Sequence, residues 1–161
     1  MIFRILLLIS LSIVKAEAKG SFSYKSSIPW VADLAKVVNC VANNKDFINE
    51  VKLYPKFTHT LDKSLDISKS LDNLGYFSIS TYRTKSPFSK VIATTYKSDK
   101  TTLYLNLRSN PRPMPDMINT VFHESMHLMG YGHGDNSPKG KEESVPYKVG
   151  SIASKYYGVC K

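Results

Sequence analysis

Between positions 123 and 133 the chain reads His123-Glu124-Ser125-Met126-His127-Leu128-Met129-Gly130-Tyr131-Gly132-His133, so three of its 4 histidines fall in one short stretch. Two histidines four apart on a helix differ by about 40° in azimuth and by one turn in height, and both imidazoles can reach one ion. Glu124 is rotated roughly 100° from His123, too far round to share that bond direction but near enough to touch a water held by the ion. It reads as a base, not a ligand. Gly130 permits a positive φ that ends the helix and turns the chain, so that His133 can return as a third nitrogen. Three nitrogens leave a fourth position for water, the open arrangement of a catalytic zinc and not the closed one of a structural zinc. Such a set performs hydrolysis: the ion acidifies its water and polarises a carbonyl while the carboxylate moves the proton.

The helix that must carry this set is visible independently. With Ile118 as the origin at ~100° per residue, Val121, Phe122, Met126, Leu128 and Met129 all fall within about 80° of it, whereas His123, Glu124 and His127 fall on the other side. The spacing predicts a helix over 116–129, with Pro115 where a helix N-terminus accepts proline and Asp116 favourable beside the dipole. The proline-rich run Ser109 to Pro115 leads into it, because three prolines remove donors and fix φ. His59, standing alone in Phe57-Thr58-His59-Thr60, is expected to be a surface or hydrogen-bonded histidine.

Upstream, Val31, Leu34, Ala35, Val38 and Val41 recur at three and four, giving a first helix over 28–42. Residues 43–62 are mixed, with Phe47, Ile48, Val51, Leu53 and Phe57 indicating a second short helix and then a strand or loop. The stretch 61–74 reads as a surface helix ended by Gly75. Strands are expected at 76–82, 91–96 and 101–107, the first pair joined by a loop at Ser86-Pro87-Phe88, the last pair a hairpin turning at Ser98-Asp99-Lys100. Val149, Ile152, Ala153 and Tyr156 mark a last helix over 147–157, closed by Gly158.

With 161 residues, 42% hydrophobic and 22% charged, the composition is that of one globular core and excludes a disordered or collagen-like chain. The opening MIFRILLLISLSIVKAEAKG reads as a signal peptide over 1–18, cut before Lys19. Its apolar run is too short to span ~30 Å of hydrocarbon, and no later segment qualifies as a membrane span. Removal of Arg4, Lys15 and Glu17 from the 22 basic and 13 acidic groups leaves a net charge of +8. The lysines are dispersed, which favours a solvated basic surface with some attraction to acidic polymers over a nucleic-acid site. Export makes a bridge between Cys40 and Cys160, the only possible intramolecular pair, the expected state. A secreted or periplasmic monomer is expected.

The pattern HExxHxxGxxH resembles that of the metzincin clan of zinc endopeptidases, which includes the astacins, matrixins and snapalysin-like small bacterial proteases. The likeness is close over 121–133 and loose, in element order, over most of the remaining chain. It implies an α+β, zincin-like fold in a single catalytic domain over 19–161. The family's order is a helix, a mostly parallel twisted sheet with one antiparallel edge strand, the active-site helix, and a short C-terminal lobe with a final helix. It implies one catalytic zinc on His123, His127 and His133, Glu124 as general base acting on the zinc-bound water, and a protein or peptide substrate. It also implies that the strand 102–107 borders the cleft and pairs with extended substrate. The chain departs at the family's methionine turn, since no methionine follows Met129. Ser144-Val145-Pro146-Tyr147 lies at a matrixin-like distance and resembles that turn with Pro146 in place of methionine. Two readings stay open for Tyr147: a hydrogen bond to the tetrahedral intermediate, or a packed aromatic opening the last helix. Asp135 either orients an imidazole or makes an Asx-turn. A zinc-binding or adhesion module of the same fold without turnover would share the three histidines, and metal-dependent proteolysis separates it from the peptidase.

Overall fold

Pro29, in the first turn of helix α1 (Pro29–Ala42), has the φ a helix start requires, and the expected apolar stripe Val31, Leu34, Ala35, Val38 and Val41 is wholly buried. The computed structural model describes residues 21–72, 74, 77–86, 88–134 and 140–161. The proposed signal peptide, the helix-ending Gly75, Pro87 and Asp135 lie outside them. Helix α2 (Lys45–Leu53) starts at Asn44, whose side chain accepts from the Asp46 and Phe47 amides at 2.8 and 3.0 Å. It buries Phe47 and Val51. Helix α3 (Ser64–Asp72), expected on the surface, turns Ile67, Ser68 and Leu71 into the core.

Among the described residues the architecture is α+β: six helices and one four-stranded mixed sheet in the order β1-β2-β4-β3. Strands β2 (Phe77–Tyr82) and β4 (Asp99–Asn106) run parallel, from Ser78↔Thr102 to Tyr82↔Asn106. Strand β3 (Ala93–Tyr96) lies antiparallel at the far edge, pairing Ala93↔Leu105 and Thr94↔Tyr104. The short β1 (Phe22–Tyr24), parallel to β2, has no counterpart in the sequence reading, because three residues are too few to reveal a period. Its outer side is sealed by Asn39 of α1, which takes the Phe22 amide at 2.6 Å and gives to the Phe22 carbonyl at 2.9 Å. Strand β3 is therefore the sheet's open edge.

Two expectations are corrected here. The strand 102–107 is not an exposed edge. It is sandwiched between β2 and β3, with Leu103 and Leu105 fully buried, and the edge position belongs to β3. The hairpin turns at residues 97–98 and not over Ser98-Asp99-Lys100. Asp99 belongs to β4, held there because its carboxylate accepts from the Thr101 and Thr102 amides at 2.9 and 3.1 Å.

Helix α4 (Met114–Leu128) buries Met117, Ile118, Val121, Phe122 and Met126. Phe122 meets Phe47 edge-on at 5.1 Å and Phe22 at 5.9 Å, joining α4 to α2 and β1 through aromatic contact. Helix α5 (Val145–Lys155) packs along α4, and α6 (Tyr157–Cys160) follows it. The disulfide Cys40–Cys160, with Cα atoms 5.7 Å apart, ties the end of the chain to α1. Among the described residues no helix is long and apolar enough to cross a membrane.

The α4–α5 crossing depends on Gly150, where a Cβ would lie 2.6 Å from the Asn119 carbonyl oxygen. That oxygen is helix backbone and cannot swing aside. Gly150→Ala should push the helices apart and destabilise the fold by about 1–3 kcal/mol. A urea midpoint equal to that of the wild type would refute the close contact.

Candidate metal centre and cleft

The half-buried side of α4 carries His123, Glu124 and His127, while its other side is spent on the core. The helix ends as the glycine predicts. Gly130 has φ 94°, its amide donates to the His127 carbonyl at 3.0 Å, and the Tyr131 amide donates to the Met126 carbonyl at 2.9 Å. This pair of bonds is a Schellman ending, which a left-handed residue makes possible. The chain then reverses and brings His133 to the two helix-borne imidazoles.

One nitrogen from each of His123, His127 and His133 lies within 4.8 Å of the others, and all three rings are partly buried. The Nε2 atoms of His123 and His127 are 3.1 Å apart. Around a tetrahedral ion with bonds of about 2.1 Å, ligand nitrogens stand about 3.4 Å apart. The helix pair lies close to that spacing, and the His133 nitrogen is within 4.8 Å of both. The donor set therefore suits a metal ion. His127 Nδ1 lies 2.8 Å from the Tyr131 carbonyl, which can only accept, so Nδ1 carries the proton and Nε2 is free to ligate. Burial, then the neighbouring His127, His133 and Lys141, hold His123 down to about 3. His133 is lowered as well, again mainly by burial. Both rings are thus neutral, the form a ligand must have.

Glu124 and His123 face a cleft of about 360 Å³ that Tyr147, Asn119, Thr120 and Ala93 also line. Burial pushes the Glu124 carboxyl up to about 7, into the range where a carboxylate both accepts and returns a proton near neutral pH. Asn119 and Thr120 stand four and three residues before His123, so their presence beside it was implicit in helical spacing.

Tyr147 fits both of its readings in position. It sits in the first turn of α5, and its ring packs 4.5 Å from that of His123 and 5.4 Å from that of His133. Ser144, Val145 and Pro146 are buried beneath it. This turn is held from outside by Thr58, whose amide donates to the Glu143 carbonyl at 3.0 Å and whose hydroxyl donates to that of Gly140. His59, next along, is exposed with φ 58°, and its ring occupies the space a side chain at Gly134 would need. It is a neighbour of the cluster and not a member of it. The sequence reading missed Lys141, whose Nζ lies 5.0 Å over the Tyr147 ring. No local pattern could have found it, because it reaches the histidines only through the fold.

No protein-family model, curated protein or solved structure matches the chain. What the cluster can do follows from its own atoms: neutral imidazoles that can hold a metal ion, and a near-neutral carboxyl on the same cleft.

Proposed function

We propose that this chain is a secreted zinc-dependent endopeptidase of zincin-like fold. The observation that carries the reading is the convergence of His123, His127 and His133 beside a cleft that Glu124 lines. Its support from the fold is the mixed sheet with one antiparallel edge strand beside the helix bearing the cluster.

Zinc bound by the three imidazoles would lower the pKa of a water and polarise the scissile carbonyl. Glu124 takes the proton from the attacking water as the new C–O bond forms, and hands it to the leaving amine as the resulting tetrahedral species breaks its C–N bond. Tyr147 is the side chain in this reading that donates a hydrogen bond to the developing oxyanion. Substrate lies extended along β3, whose outer edge pairs with no strand among the described residues. The disulfide fits a protein that works outside the reducing cytoplasm.

Metal analysis of the purified protein, followed by cleavage of a denatured protein substrate with and without chelator, tests the proposal. One zinc per chain and chelator-sensitive cleavage are expected; metal without turnover would favour a binding module instead. His133→Ala should weaken zinc affinity at least about 100-fold, since two imidazoles cannot replace three. Affinity equal to that of the wild type by competition with a chromogenic chelator would point to a different third ligand.

A further inference from the structure

Two recesses flank the histidine cluster, and β3 runs from one to the other. The first, against His123 and Glu124, is walled by Ala93 together with Lys90 and Arg112. The second, about 550 Å³, lies against His127 and is walled by Thr95, Tyr96, Lys97 and Lys100. From Ala93 to Tyr96 a strand rises about 10 Å. An extended peptide paired with that open edge would reach both recesses.

What the recesses share is basic side chains that have no ion-pair partner. Among the described residues none of Lys90, Lys97, Lys100 and Arg112 forms an ion pair. The single acid of the β3–β4 hairpin, Asp99, would be the natural partner of Lys97 and Lys100, but it is engaged by its own strand. Its Oδ1 accepts from the Thr101 amide and hydroxyl at 2.9 and 2.8 Å and from the Thr102 amide at 3.1 Å, and its Oδ2 accepts from Tyr104 Oη at 3.0 Å. Both oxygens accept from groups of its own strand, and neither meets a lysine. The recess on the His127 side therefore has two free ammonium groups and no carboxylate in its wall. On the other side Asp116 and Glu124 share the wall with Lys90 and Arg112 and offset part of their charge. Arg112 gives its Nη2 to the Asp116 carbonyl and the Thr120 hydroxyl, and its buried Nε has no partner. Cations set in concave walls focus their field on whatever enters.

We propose that the cleft selects acidic polypeptides, with Lys97 and Lys100 receiving a carboxylate side chain on one side of the bond to be cut and Lys90 and Arg112 reinforcing the preference on the other. This rests on the peptidase reading and names its substrate class. A polypeptide is favoured over a nucleic acid because the cleft's long side is a strand edge that pairs with backbone amides. Its lip carries the exposed apolar Val91 and Ile92.

Matched fluorogenic peptides that differ only in Glu, Gln or Lys beside the scissile bond provide the test. Their binding to the zinc-supplemented Glu124→Ala protein, read by fluorescence anisotropy, gives a measure independent of turnover. The Glu peptide should exceed the Gln peptide about tenfold in kcat/KM and in affinity, and the margin should shrink several-fold between about 50 and about 500 mM salt. The double variant Lys97→Glu/Lys100→Glu should reverse the order of the Glu and Lys peptides. Cleavage indifferent to flanking charge overturns the inference and leaves the peptidase reading standing. So does a preference that survives the double reversal in a protein with an unchanged melting temperature. Charge-dependent binding of acidic peptides that the wild-type protein never cleaves overturns the peptidase reading instead. A single-stranded oligonucleotide that displaces the Glu peptide at an equal or lower concentration overturns the inference in favour of nucleic acid.

Discussion

Glu124→Ala should abolish cleavage of a denatured protein substrate, by about 10² to 10⁴ in kcat, while the protein still binds one zinc. The two halves of this result come from different atoms. The ligand nitrogens belong to His123, His127 and His133, and none of their mutual spacing depends on a side chain at 124. Glu124 is the carboxylate that lines the cleft beside His123, and burial holds its pKa at about 7. Alanine removes the only proton carrier assigned to the reaction and leaves the helix face otherwise unchanged, since alanine is the best helix former. Glu124→Gln keeps the shape and the polarity without the proton affinity, and should be equally inactive. Normal turnover in either variant, with zinc present by metal analysis, would remove Glu124 from the role of base. Loss of zinc in both would make it part of the metal site instead.

Reduction of the Cys40–Cys160 bridge, or Cys160→Ser, should lower stability by about 3–5 kcal/mol and the melting temperature by about 10 °C. The two cysteines are 120 residues apart, so the crosslink removes a long loop's worth of conformational freedom from the unfolded chain. Apart from the bridge, the chain end is held by the partly buried Tyr157 packed against the core. Helix α6 is four residues long and has no buried residue, and Val159 within it is exposed. Without the bridge this last turn should fray, and fast amide exchange at 157–160 should accompany the lower midpoint. Two titratable thiols in the unreduced, denatured protein, or a midpoint unmoved by reductant, would contradict this account.

Much of the site was legible because its determinants are local. The i, i+4 spacing of His123 and His127, the apolar residues opposite them and the single glycine at 130 are all set by helix geometry. The structure has them as that geometry requires, including the positive φ. The buried stripe of α1 and the cysteine pair were equally readable, the first from period and the second from elimination. Other features were out of reach for a physical reason. Thr102 to Leu107 has the composition of a strand wherever it lies in a sheet, so its composition could not distinguish an edge from an interior position. Strand β1 is shorter than any period, and it exists because Phe22 packs on Phe77 and Asn39 closes its far side.

By itself, then, the chain's order of residues determined which groups could do chemistry and on which face of which element they stand, since 3.6-residue and 2-residue periods act within a few neighbours. Only the tertiary structure decided that β3 and not β4 is the open edge, and that Tyr147 packs against His123 and His133 with Lys141 over its ring. These outcomes depend on which distant surfaces meet when the core closes. That is settled by the burial of Leu103, Leu105, Phe122 and their partners as a set, and no local spacing encodes it.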